Sequence, residues 1–556
     1  MRTCKATLEN GVLTLAIGRM QWLKEGVNSA KSDDFDNGGL WQPCLRTIAE
    51  TQEGVLTCYQ WENMPFAELE GLPVFTLRVP GEHITVRAIR FGAWTDRCDT
   101  LLNESRQHLF AGAAQRQEGQ IFFLEDAVTG LTTVLLAAAP EHVIPALTVK
   151  HYQLTLENQG YPVTLGICPT GEAEKLCRDW YRCHWRSPGL HAMSNTWGDA
   201  NGRSRVEQEF VRREIASAGD LGLDIVQIDD GWQTGIPNKW DENHFRLLQG
   251  NFWDLNTERF PEGIAVLNKE AADRGMKLGI WFAPHSRYCF EHYDRDVAVL
   301  KKAYDEWGTR YFKLDMIQLV SRDHCDKMQQ FLKTVLSFGP DVSVELDVTA
   351  DQRLGYLAAA PYGTIFVENR YTKTANSFPH RVLRNLWQLS RVVPAGKLQM
   401  ELVNPELNQE SYSQEDPFRP ALYDMDYLLA QVIFCNPLFW MESQFLPENR
   451  RREMARLLPV WKENRQMLRY ADVEPLGEVP SGRSLTGFVA RNGGDVQLLL
   501  FREVTDRDTI RLPMELQDVQ ILATNTDVQL EQFAGLAVKL GKERSYVWLQ
   551  ARQTEQ

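Results

Sequence analysis

The chain has 556 residues, more than one ordinary hydrophobic core accommodates, so two or three domains are expected. Hydrophobic residues make up 43% and charged residues 24%, the balance of a soluble globular protein, and no run of about 20 apolar residues is present to span a membrane. The 60 Lys and Arg against 74 Asp and Glu leave a net charge of −14, which disfavours a nucleic-acid partner, since that normally needs a basic face.

Residues 1 to 175 read as short alternating segments broken by Gly, Pro, Asn and Asp, among them Gly11 to Ile17, Val74 to Val79 and Thr132 to Ala138. Many strands and few helical periods predict an N-terminal antiparallel β-sandwich. A helical pattern from Glu172 to Trp185 leads into the next domain. From 176 to 472 the rhythm becomes strand, then amphipathic helix. The predicted strands are His191–Trp197, Asp224–Asp230, Lys277–Pro284, Arg310–Ile317, Val342–Val348, Thr364–Asn369, Leu398–Asn404 and Leu438–Glu442. Eight alternations predict an α/β fold of the (β/α)8 TIM-barrel type. A doubly wound sheet fits less well, because no glycine-rich phosphate loop follows the first strand. Short strands return over 473 to 556 and predict a small C-terminal β-domain.

The ten cysteines carry no CxxC pair and no zinc spacing, so they are expected as buried free thiols of a reducing compartment. No apolar core of a secretory leader follows Met1, and a cytoplasmic location is expected.

In a (β/α)8 barrel the C-terminal strand ends build the active site. Here they carry Trp197 and Asp199; Asp229, Asp230 and Trp232; His285 and Arg287; Lys313 and Asp315; Glu345 and Asp347; Glu368, Asn369 and Arg370; Glu401 and Asn404; and Glu442. Lys313 and Asp315 lie two apart inside the apolar run Tyr311-Phe312-Lys313-Leu314-Asp315-Met316, so strand parity points them the same way. A buried lysine beside a carboxylate is unfavourable unless a site uses the charges. A cup dense in carboxylates with Trp walls fits two acids flanking a glycosidic bond better than a metal centre, and neither metal nor cofactor is expected. Trp281 is expected in the barrel core, and Arg384 on a helix, contacting the surface or another domain.

Four blocks carry a resemblance. Asn195-Thr196-Trp197-Gly198, Ile228-Asp229-Asp230-Gly231-Trp232, Leu278-Gly279-Ile280-Trp281-Phe282-Ala283-Pro284 and Tyr311-Phe312-Lys313-Leu314-Asp315 occur in this order. Together they resemble the opening barrel strands of glycoside hydrolase family 36, the melibiase-type α-galactosidases related to family 27. The resemblance spans about 195 to 405 and implies the three-domain layout. It also implies a retaining, exo-acting α-glycosidase whose partner is a carbohydrate, with assembly into a homo-oligomer open. It makes Asp315 the nucleophile, with Lys313 holding sugar hydroxyls and keeping Asp315 ionised. Asp229 and Asp230 would accept from the hydroxyls at C4 and C6, and Trp197 and Trp232 would wall the pocket.

The sequence departs from that family at two strands. Where the family has an acid/base aspartate, this chain has Glu368 in Thr364-Ile365-Phe366-Val367-Glu368-Asn369-Arg370, with Arg370 as a replacement cation. The family's Cys/Gly-rich fifth strand, near the C2 substituent, becomes Val344-Glu345-Leu346-Asp347, which makes Glu345 and Asp347 candidate sugar contacts. Alternatives are therefore another sugar, a transglycosylase, or a carbohydrate-binding relative without catalysis.

Overall fold

The computed structural model describes residues 4–17, 20–35, 44–52, 54–61, 64–71, 74–78, 83–92, 101–108, 114–140, 142–150, 153–185, 187–198, 202–236, 251–347, 352–367 and 369–553. They fall into two compact units, one within 1–93, 101–186 and 352–361, the other within 94–100, 187–351 and 362–556.

The first unit is built from the alternating segments. Gln153–Glu157, for example, buries only Leu154 and Leu156 fully, so one face of the strand turns inward. A nine-stranded antiparallel sheet and a four-stranded sheet share one core. Leu69, Val86, Phe122 and Leu135 from the larger sheet pack with Phe75, Leu77, Leu147 and Leu154 from the smaller. This is the expected β-sandwich. The helix Ala173–His184 belongs to the same unit. Its Trp180 indole donates to Glu68 at 3.2 Å, and His184 Nε2 lies 3.2 Å from the same carboxylate.

The second unit contains a closed barrel of eight parallel strands: Met193–Asn195, Ile225–Ile228, Lys277–Phe282, Tyr311–Leu314, Ser343–Leu346, Thr364–Phe366, Leu398–Leu402 and Asn436–Phe439. Each lies inside a strand predicted from the sequence or overlaps one. The first pairs with the eighth, Met193 opposite Leu438, and closes the ring. Ile225–Ile228, Tyr311–Leu314 and Leu398–Leu402 are buried at every position, as strands covered on both faces must be.

Seven connections carry a helix: Gln208–Leu221, Ile264–Asp273, Tyr293–Trp307, Arg322–Leu336, Pro379–Leu389, Met425–Ala430 and Glu448–Tyr470. The alternation is broken once. Between Leu346 and Thr364 the described residues form no helix, and 352–361 group with the first unit. Strand six then enters at Gly363, which lies so close to strand five that a Cβ there would sit 1.7 Å from the Val344 carbonyl oxygen.

After the last barrel helix, five-stranded and three-stranded sheets form the C-terminal β-domain. Leu498, Leu500, Val547 and Leu549 meet Ile510, Leu512, Val538 and Leu540 in its core. Arg384, on the helix after strand six, reaches this domain by donating to the Pro480 carbonyl at 2.7 Å. No described helix is long and apolar enough to cross a membrane.

The contact at Gly363 gives a direct check on the strand five to strand six junction. Gly363→Ala should destabilise the fold by about 1–3 kcal/mol through forced backbone movement. A lowered thermal midpoint is the expected result, and an unchanged one would mean that the two strands part there without strain.

Candidate active site

The polar residues of the strand ends converge on Lys313, the third residue of strand four. Its side chain is almost fully buried, and its ammonium forms ion pairs with Asp229 and Asp347, each at 2.8 Å. These acids follow strands two and five, so three strands are tied together at one point. The ammonium also lies 5.0 Å from the Trp440 ring centroid and 6.0 Å from that of Phe366. Burial alone would push Lys313 down, but Asp229 and Asp347, with Asp315 and Glu345 behind them, outweigh it and hold the group well above the ordinary lysine range.

Beneath this clamp runs a layer of polar side chains inside the barrel. Asn195 donates to Gln227 and, at 2.8 Å, to Asp229. Gln227 in turn donates to Glu345 at 2.8 Å. Glu345 is the register partner of Lys313 across strands four and five and has no exposure. Burial pushes its carboxyl up to about 8, with Lys313 and Gln227 pulling the other way, so it carries a proton at neutral pH.

Asp315 occupies the mouth of the cup. It is half-buried, and its carboxylate accepts from the Trp281 indole at 2.8 Å and from the backbone N–H of Met316. Met316 takes a left-handed conformation, φ 54°, immediately after the strand. An unbranched residue held there costs about 1–3 kcal/mol, a strain typical of functional sites. The turn brings the next backbone donor onto the carboxylate and fixes its aim.

The two acids that follow strand two part company. Asp229 joins the lysine clamp, whereas Asp230 faces Arg203 at 3.1 Å and Gln233 at 2.6 Å. Burial pushes Asp230 up to about 6 despite those partners.

Trp197 is half-buried and donates through its indole to the Tyr371 hydroxyl at 3.1 Å, packing with Trp440 at one side of the cup. The main chain after it turns at Gly198, φ 51°, where a Cβ would meet the Glu442 carboxylate at 2.3 Å; only glycine fits that approach. Trp232 does not wall the cup. It has no exposure, packs against Trp253 and Trp307, and donates to the Trp281 carbonyl at 2.8 Å. A large ring with one N–H finds both its partners between strand and helix, which is where the structure puts it.

Arg370 is also buried; its backbone N–H is received by Glu401 at 3.0 Å and its guanidinium donates to the Asn376 carbonyl at 3.0 Å, so it organises the loop after strand six. Glu368 and Asp199 lie outside the described residues. Sequence reasoning missed Trp281 as a partner of Asp315. The signal was available, because Trp281 and Lys313 are register partners and Asp315 follows on the same face.

Comparison with known proteins finds relatives of one kind. Residues 176–340 match the family described as Melibiase. An α-galactosidase from Oryza sativa subsp. japonica is 28% identical over 151 residues, 25% of this chain and 33% of the relative. α-Galactosidase AgaA from Geobacillus stearothermophilus is 25% identical over 220 residues, 37% of this chain and 28% of that protein. The matched stretches thus span about a third of those relatives' lengths or less. The crystal structure of AgaA, described as a GH36 α-galactosidase, superposes with a TM-score of 0.67 over 95% of this chain and 87% of that one, at 13% identity. An AgaA variant in complex with raffinose gives the same TM-score over 99% and 89%, also at 13% identity. The Melibiase match covers the opening part of the barrel and the structural likeness at 13% identity is one of fold; with them the resemblance to family 36 stands.

Glu345 supplies a pH signature. Its folded value of about 8 lies above the ordinary 4.5, so between these values the folded chain holds a proton that the unfolded chain has released. On this account stability falls as pH rises from about 4.5 to about 8, and Glu345→Gln removes that part of the slope. Thermal midpoints of both proteins across this range provide the measurement; parallel curves would assign the proton elsewhere.

Proposed function

We propose that this melibiase-type chain is a retaining, exo-acting α-glycosidase that hydrolyses terminal α-galactosides. The observation that carries the proposal is the setting of Asp315: partly open to the cup, steered by two donors, and adjacent to a buried lysine that holds two further acids. Two donors on one carboxylate fix its aim before substrate arrives.

In the proposed first step Asp315 attacks the anomeric carbon as the glycosidic C–O bond breaks. Glu368, protonated, gives its proton to the leaving oxygen. In the second, Glu368 takes a proton from water as that water displaces Asp315 from the sugar, so two inversions leave the configuration unchanged. The Lys313 clamp with Asp229 and Asp347 would meet the hydroxyls of a sugar seated above it, and Trp197 would face the ring. The AgaA complexes with raffinose and stachyose support a carbohydrate as the binding partner. A cytoplasmic location belongs to the same proposal and rests on the thiols: the eight cysteines whose side chains are described form no disulfide, and seven of them are buried.

A second reading keeps the chemistry and changes the sugar. It is favoured by Glu345 on strand five and Asp347 just after it, which place a neutral carboxyl and a lysine-bound carboxylate in the layer that the family resemblance assigns to the C2 side. A site that pairs with a substrate hydroxyl discriminates against its absence by about 10⁴–10⁵.

A screen of nitrophenyl α-glycosides separates the two readings, and NMR of the first-formed anomer tests retention. Asp315→Ala is expected to abolish turnover with folding intact; near-normal hydrolysis by that variant would refute the nucleophile. Trp281→Phe removes one hydrogen bond to a charged group, worth about 1.5–3 kcal/mol, and should lower kcat by roughly tenfold to a hundredfold. A kcat within twofold of the parent, as a rough limit, would mean that Trp281 only packs.

A further inference from the structure

Outside the sugar cup, the loop after barrel strand three gathers two imidazoles and a carboxylate. One ligand atom each from His285, Glu291 and His292 lies within 4.8 Å of the others. His285 Nδ1 is 3.6 Å and His292 Nε2 is 3.9 Å from Glu291 Oε1. Both separations exceed ordinary hydrogen-bond length, about 2.7–3.2 Å. The two rings stack with centroids 4.8 Å apart and 19° between planes.

We propose that His285, Glu291 and His292 form a binding site for a divalent transition-metal ion of the zinc class. Zinc takes imidazole nitrogen and carboxylate oxygen at about 2.0–2.2 Å, so tetrahedral neighbours stand roughly 3.3 Å apart. The two imidazole–carboxylate separations are a few tenths of an ångström wider and all three ligand atoms lie within 4.8 Å, so Glu291 and His292, both partly exposed, would turn inward to close on an ion. Two imidazole nitrogens and one carboxylate oxygen are a donor set that suits such an ion.

The backbone is shaped for this convergence. His285 follows strand three and donates its N–H to Asp296 at 2.7 Å; His292 immediately precedes the helix Tyr293–Trp307. Between them Cys289 and Phe290 are both left-handed, φ 51° and 56°, and this pair folds the chain back so that the two rings stack. Successive left-handed non-glycine residues are a strained arrangement, of the kind found at ligand clamps. The loop also braces the segment that follows Asp315: Ser286 Oγ accepts from Gln318 N–H at 2.9 Å, and His324 Nε2 lies 3.1 Å from the Arg287 carbonyl. A metal here would stiffen the loop beside Asp315 without touching the sugar, and three protein ligands leave a position for water.

The test uses the full chain without an affinity tag, stripped with chelator and titrated with ZnCl2, and separately with CoCl2. Expected are about one zinc per chain by elemental analysis, a zinc-dependent rise in thermal midpoint, and a visible d–d band with cobalt. His292→Ala and Glu291→Gln alter partly exposed residues, keep the fold by circular dichroism, and should weaken binding by about tenfold or more. The proposal is overturned if the parent chain binds no zinc, or if both variants bind it as tightly as the parent.

Discussion

Lys313 surrenders its hydration inside the barrel and receives two carboxylates in return. Moving an ammonium out of water costs several kcal/mol, so the fold tolerates it only where paired charge is delivered by rigid elements. Asp229 and Asp347 arrive from the ends of strands two and five, and the ring closure fixes both relative to strand four. The clamp and the barrel are therefore mutually dependent: without closure the acids do not meet, and without the lysine three strand ends present repelling charge. Asp315, two residues further along, inherits its position from that arrangement.

The departures from the family pattern have a common physical basis. Strand five brings a second carboxyl, Glu345, next to a lysine already saturated by two acids. Burial above all keeps a proton on Glu345, and the charges of Asp347 and Asp229 add to it against the pull of Lys313. Strand five also lacks a described helix after it, and Gly363 lets strand six press against its backbone. The same edge of the barrel thus differs both in chemistry and in connection.

Much of the barrel was legible because fully buried runs such as Ile225–Ile228 and Tyr311–Leu314 lead directly into acids, a pattern that amphipathic surface strands do not produce. Lys313 and Asp315 were legible from parity alone. What parity does not reveal is which of several partners a side chain selects once strands are curled into a ring. Asp229 and Asp230 are neighbours in sequence, yet one reaches the lysine and the other Arg203. Trp281 is buried as expected, but Trp232 is enclosed too instead of walling the cup, because Trp253 and Trp307 pack over it. The meeting of His285 with His292 depends on two left-handed residues, a conformation that Cys289 and Phe290 do not advertise.

The depth of the lysine clamp has a bearing on solution conditions. Mobile ions attenuate charge pairs across a Debye length of about 8 Å at physiological ionic strength, but only where they can approach. Lys313, Asp229 and Asp347 are sealed from the electrolyte, whereas surface pairs such as Lys269 with Asp273 are bathed in it. Added salt should thus erode the periphery of this acidic protein first and leave the electrostatic framework around Asp315 essentially untouched.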